Sequence, residues 1–193
     1  VGGVNISRLW VTGYRSYELG VFGDKDPKEL VIKNVIENNL KQAIEDGVDW
    51  IITGGQMGVE QWTVEVADQL KEEYPDEFQI SMMLPFKEFG NQWNEQNQMK
   101  LSQSINKVDF SASVSNDPYK SPMQLRAYQD FMLNHTDRAL LIYDVDNPGK
   151  TQYDYEQIKR FSEIHDYDYH LIDFDELQEA ANEYQNNLNN FEE

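Results

Sequence analysis

The stretch Asp49-Trp50-Ile51-Ile52-Thr53-Gly54-Gly55-Gln56-Met57-Gly58-Val59-Glu60-Gln61-Trp62 decides the fold. Its first five residues form a short apolar run rich in β-branched and aromatic side chains, as a buried strand requires. Glycines follow at once, and Val59, Trp62, Val66, Ala67 and Leu70 then recur at helical spacing until Tyr74-Pro75 breaks the pattern. A strand that turns over glycine directly into a helix is half of a parallel βαβ unit. The three glycines allow close backbone approach, and the helix start offers free N–H groups at the positive end of its dipole. Gly54, Gly55 and Gly58 are therefore candidate phosphate contacts and Gln56 a candidate ribose contact, although tight packing of the turn would call for the same glycines. The string is neither the dinucleotide fingerprint G-x-G-x-x-G nor a Walker loop, because no G-K-[ST] closes it. Glu60, inside the first helical turn, suits the dipole, a ribose hydroxyl or general acid–base work, which makes it the candidate catalytic residue.

The alternation continues outward in both directions. Val4–Thr12 reads as a strand ending at Gly13. Asp26-Pro27-Lys28-Glu29 opens a helix, with Asp26 as cap, Pro27 in the first turn and Glu29 completing a capping box. Further strands are expected at 78–84, 109–114, 138–144 and 167–172. Helices are expected near 93–108, from the capping box at Ser121-Pro122-Met123-Gln124 through His135, after a cap at Thr151, and from Asp175 onward. Strand–helix alternation from end to end predicts an α/β fold with a mostly parallel sheet of about six strands. With no internal repeat or Pro/Gly/Ser linker, one domain over 1–193 is expected, ending in an acidic helical tail from about 174.

Composition narrows the function. The 193 residues carry 35 Asp and Glu against 16 Lys and Arg, a net charge of −19, which disfavours nucleic-acid or anionic-membrane partners. There is no cysteine, so disulfides, thiolate nucleophiles and Cys-ligated metals are excluded and a reducing cytoplasm is the expected location. No apolar run is long enough for a membrane span, and the opening residues do not resemble a secretory leader. His135, His165 and His170 show no metal-ligand spacing, and no G-x-S-x-G elbow suggests a triad hydrolase. From Asp166 to Glu193 nine carboxylates occur without a Lys or Arg, a solvated helix on the plain reading and a partner surface on the other.

In an open parallel sheet, ligands bind beyond the carboxyl ends of the strands. Gly13-Tyr14-Arg15 leaves the first strand there: Gly13 allows a sharp turn, and Arg15, expected on an exposed loop, can grip a phosphate or carboxylate. Pro148-Gly149-Lys150-Thr151 places a second glycine beside a helix start with a lysine and a hydroxyl, explained either by capping or by anion contact. Two such helix starts at different strand ends favour a shared nucleotide crevice. Weaker candidates are the aromatic and charged stretch 84–93, residues 115–119, and Arg126.

Gly13-Tyr14-Arg15, Glu18-Leu19-Gly20, the run from Gly54 to Trp62, and Pro148-Gly149-Lys150-Thr151 with Tyr153 together resemble the YpsA family of Gram-positive bacteria over nearly the whole chain. The resemblance implies a Rossmann-like three-layer α/β/α domain of the SLOG superfamily, which also holds the cytokinin-activating LOG proteins and the DNA-processing protein DprA. It further implies a nucleotide or ADP-ribose-like ligand, and a regulatory role linked to cell division or growth control, with cell-division proteins as partners and oligomerisation left open. LOG enzymes carry P-G-G-x-G-T-x-x-E. Here no proline precedes Gly54-Gly55, Val59 replaces the threonine, and Glu60 falls earlier than the LOG glutamate. The expected function is therefore a nucleotide-ligand-binding regulator, with no cofactor or metal assigned. Two alternatives remain: a nucleotide N-glycosidase or phosphoribohydrolase using Glu60, and a scaffold acting through its acidic C-terminal helix.

Overall fold

The centre of the sheet is its most apolar part. A computed structural model describes residues 5–191, and in it β1 (Arg8–Gly13) and β5 (Arg138–Ile142) lie side by side, with Leu9-Trp10-Val11 and Ala139-Leu140-Leu141-Ile142 buried. Strands covered on both faces must read as continuous apolar runs, and these do. β2 (Trp50–Thr53), β3 (Gln79–Phe86) and β4 (Phe110–Ser115) extend the sheet on one side, and β6 (Asp168–Ile172) on the other. The order is β4-β3-β2-β1-β5-β6 with every pairing parallel, so the expected α/β, Rossmann-like three-layer architecture with six strands is the one observed. The flanking strands β4 and β6 are the more polar and exposed ones, as sheet edges should be.

The helices α1 (Pro27–Glu45), α2 (Val59–Leu70), α3 (Glu95–Ile105), α4 (Pro122–Asn134), α5 (Gln152–Ile164) and α6 (Phe174–Phe191) connect or follow the strands. α1 packs on α2 and α6, and α4 packs on α5. Winding runs one way from β1 to β4, then returns past β1 to β5. The strand order therefore reverses between β1 and β5, and the crevice at their carboxyl ends is the switch point where such sheets bind ligands.

Local expectations are corrected at several element ends: β5 stops at Ile142, short of the expected 144, and α3 spans Glu95–Ile105 within the expected 93–108. β1 begins at Arg8, since residues 5–7 are irregular; Val4 lies outside the described residues. β3 runs two residues past Leu84 and includes Pro85, where the neighbouring β2 has already ended and one flank of the strand is open. Asp26 does cap α1, accepting from the Lys28 N–H at 2.9 Å, but Glu29 does not close the box. It is buried and paired with Lys33 at 2.8 Å, the stronger partner for a desolvated carboxylate. The Ser121–Gln124 capping box forms as read.

Candidate functional site

A cleft of about 680 Å3 opens at the switch point. Arg15, from the loop after β1, and Gly55, Gln56 and Glu60, from the β2–α2 turn, line one side. α4 contributes Arg126, Tyr128 and Gln129, and the start of α5 contributes Lys150, Tyr153 and Asp154. Five of the main candidates from the sequence therefore meet here: Arg15, Gly55, Gln56, Glu60 and Lys150. Arg126 joins them from the weaker ones. Gly13, Tyr14, Gly54, Gly58, Gly149 and Thr151 stand behind the wall instead of on it.

Those six residues build the wall. A Cβ on Gly13 would stand 2.7 Å from the Ile142 carbonyl oxygen and 2.9 Å from Val59, so this glycine lets β1 pass close to β5 and α2. Gly58 has φ of 106°, and a Cβ there would lie 2.5 Å from both Ser16 N and Tyr14 O. Only glycine tolerates that backbone in that space. At Gly54 a Cβ would collide with the Glu60 carboxylate and the Tyr128 hydroxyl, so its bareness admits both side chains. The Tyr14 hydroxyl accepts from the Asp144 N–H at 2.9 Å and donates to the Asn147 carbonyl at 2.7 Å, latching the turn after β5. Burial pushes its phenol up to about 12, so it holds its proton. Thr151 does not cap α5: it is buried, has helical backbone angles, and receives Arg15 Nη1 at 3.5 Å.

In the glycine-bearing turns ahead of both helices, a backbone N–H is already held by a carboxylate of the chain itself. Glu60 Oε1 accepts from the Gln56 N–H at 3.0 Å at the start of α2. Glu18 Oε2 accepts from the Lys150 N–H at 2.9 Å before α5, while its other oxygen accepts from Arg15 N at 2.8 Å. In the first turns themselves, the Val59 and Gln61 N–H groups of α2 donate to the Tyr14 and Gln56 carbonyls, and the Gln152 and Tyr153 N–H groups of α5 donate to the Gly149 and Lys150 carbonyls.

The floor of the cleft is a pair of buried acids. Glu60 is 4% exposed and Asp154 is 8% exposed. Between them the buried Thr12 hydroxyl lies 2.9 Å from Glu60 Oε2 and 3.5 Å from Asp154 Oδ2. A hydroxyl has one proton, so when Thr12 gives it to Glu60 it can only accept on the other side. Below about pH 6, where Asp154 holds its proton, that proton on Oδ2 completes a relay from Asp154 through Thr12 to Glu60. The electrostatics point the same way. Desolvation, reinforced by the Glu60 charge, pushes the Asp154 carboxyl up to about 6, against smaller opposing effects of Arg15, Gln129 and Thr12. Gln129 Nε2 holds Asp154 Oδ1 at 2.9 Å. Burial, with Glu60 and Asp154 nearby, raises the Tyr128 phenol well above its ordinary value.

Arg15 is not on an exposed loop. Its side chain is only 12% exposed, because the loop after β1 folds under the α5 start and is pinned to Gly58 by a short antiparallel bridge. Arg15 Nη1 lies 4.0 Å from Glu60 Oε2 and donates to the Gly13 carbonyl at 3.3 Å, while its Nε is buried without a hydrogen-bond partner.

Sequence reading passed over Thr12, Tyr128, Gln129 and Asp154 as site residues. A signal existed. Asp154 and Ile158 are one helical turn apart and both buried, and Gln129 shares the inner face of α4 with Met132 and Leu133. Polar side chains on apolar stripes need partners, and here they find each other.

Fold and cleft define a Rossmann-like α/β protein with an open cleft at the topological switch point. The model of the YspA SLOG family matches residues 9–177. The chain is 59% identical over 190 residues to a UPF0398 protein of Lactiplantibacillus plantarum, which spans 97% of this chain and 100% of that relative. It is 58% identical over 185 residues to a UPF0398 protein of Levilactobacillus brevis, covering 96% and 97%. A UPF0398 protein of Lactobacillus gasseri is 54% identical over 183 residues, covering 94% and 96%. This chain belongs to the YpsA family of SLOG proteins. Among the described residues no helix is long and apolar enough to cross a membrane.

Proposed function

We propose that the cleft binds a nucleotide-derived small molecule, a nucleoside phosphate or ADP-ribose-like compound, and that the protein acts as a ligand-responsive regulator. The observation that carries this reading is the segregation of chemistry within one cleft. Buried acids line its floor, Arg126 and Lys150 supply exposed cations, and Phe89, Tyr128 and Tyr153 supply aromatic faces. Carboxylates accept from ribose hydroxyls, an Arg fork suits phosphate, and a base stacks on an aromatic ring. The unpartnered Nε of Arg15 adds a buried donor in want of an acceptor. The link to division and growth control comes from the family resemblance and belongs to the same proposal.

Calorimetric titration with nucleoside mono-, di- and triphosphates, NAD and ADP-ribose tests the reading. At least one should bind and raise the melting temperature, because a ligand held only by the native state adds RT ln(1 + [L]/Kd). Arg126→Ala with Lys150→Ala should weaken that ligand by roughly 1.5–3 kcal/mol for each charged hydrogen bond removed, with folding intact. A silent panel at millimolar concentration refutes the proposal.

The acid pair favours a second reading, hydrolysis of an N-glycosidic bond. A base would take a proton from water as its oxygen attacks the anomeric carbon, and Asp154 would protonate the departing base nitrogen as the C–N bond breaks. Glu60 is poorly suited to the first role, since Gln56 N–H and Thr12 already donate to it and Arg15 lies close. Release of free base, followed by chromatography, separates the two readings; under the first no product forms.

A further inference from the structure

In α6, Phe174, Leu177, Ala181, Tyr184, Leu188 and Phe191 follow one another at alternating steps of three and four residues. That is the a/d spacing of a coiled-coil seam. The body of the protein uses only the first part of it. Phe174 and Leu177 pack against the core, whereas Leu188 is 46% exposed and Phe191 89% exposed. Beside this ridge lies an open groove of about 670 Å3 between α1 and α6, lined by Leu30, Val31, Leu177, Ala181, Tyr184 and Leu188 among others.

The placement of charge says what fits. With Phe174 at position a, the carboxylates Asp175, Glu176, Glu179 and Glu183 all fall at b, c and f, away from the seam. Among the described residues of α6 the flanking e and g positions are Gln178, Ala180, Gln185 and Asn187, none of them charged. Among the described residues, Lys28 is the one charged side chain lining the groove. In a chain of net charge −19 this is a neutral corridor. A basic peptide would find no carboxylate there to pair with, whereas an identical helix meets no like charge across the seam. The ridge forms one wall of the groove and its exposed end at Leu188 and Phe191 runs on beyond it, so a two-fold axis can set each exposed end against the other's groove.

We propose that this face pairs two copies of the chain, α6 against α6, through an isologous contact made by the exposed end of the seam and the α1/α6 groove. Sedimentation equilibrium of the full chain, from low micromolar to hundred-micromolar protein, tests it. A concentration-dependent dimer is expected. Leu188→Glu should raise its dissociation constant by at least about tenfold while circular dichroism, and melting at concentrations where both proteins are monomeric, remain those of the parent. The double variant Gln185→Glu with Asn187→Glu removes no apolar surface. It should dissociate the dimer at low salt and recover it at high salt, because the introduced repulsion is screened. Glu179→Arg, on the outer face, should leave the dimer mass unchanged. A chain that stays monomeric throughout, or a dimer indifferent to both sets of seam variants, overturns the proposal.

Discussion

Asp154→Asn should make the protein more stable at neutral pH, not less. In the folded protein the carboxyl is pushed from 3.8 to about 6, chiefly by burial and then by Glu60. A folded-state pKa raised above the unfolded one means that the native state favours the protonated acid. The stability it contributes is fully present below pH 3.8 and lost as pH rises to about 6. Above that, folding carries a buried charge costing ~3 kcal/mol, at about 1.36 kcal/mol for each pH unit of displacement. Asparagine reproduces the neutral acid. Its oxygen can accept from Gln129 Nε2, and its amide can donate to Thr12 Oγ1, which still donates to Glu60. Urea unfolding of both proteins between pH 4.5 and pH 8 should give curves that approach each other toward the acid end, with ~1 kcal/mol of the difference left at pH 4.5. At the alkaline end the variant should lead by up to ~3 kcal/mol, roughly 6–12 °C in melting temperature for a chain of this size. A variant no more stable than the parent at pH 8, or a difference that does not change with pH, would refute both the buried acid and the relay.

Three further outcomes test the same architecture. Glu60→Gln removes the neighbouring charge, so the Asp154 carboxyl should titrate lower than in the parent yet still above 3.8, because burial is the larger cause; carbon NMR of the side-chain carboxyls reads this directly. Arg15→Ala should shift Asp154 the other way and lower stability at pH 8 by roughly 1.5–3 kcal/mol, measured by thermal unfolding, since the buried cation facing Glu60 is removed. Gly58→Ala should cost ~2 kcal/mol or more in urea unfolding, because a Cβ must enter a left-handed backbone against the Tyr14–Ser16 main chain.

The order and type of the elements were legible because the information is local. The apolar run at Trp50–Thr53 and the helical spacing after Gly58 lie within a few residues of each other, and so do Ser121 and Gln124 of the α4 capping box. Errors stayed local too: Glu29 was drawn from its cap to Lys33, and Thr151 from capping to Arg15. Arg15 illustrates the limit. Nothing beside it in the chain says that it is covered; its cover comes from Thr151 and Glu60, residues from different units of the fold.

From the sequence by itself come the α/β class, the six strands with their connecting helices, and the strand ends at which chemistry gathers, because alternation, capping and glycine turns are short-range properties of the chain. Tertiary structure alone decided what those ends do. Glu60 and Thr12 are 48 residues apart, Thr12 and Asp154 are 142 apart, and Glu18 reaches Lys150 across 132. Which loop N–H groups are held by carboxylates depends on which side chains reach them, and that follows from strand order, with β5 inserted beside β1. Burial then turns proximity into chemistry: the same Asp154 that would be an ordinary surface acid on an isolated helix becomes, beside Glu60 and away from water, a carboxyl that keeps its proton to about pH 6.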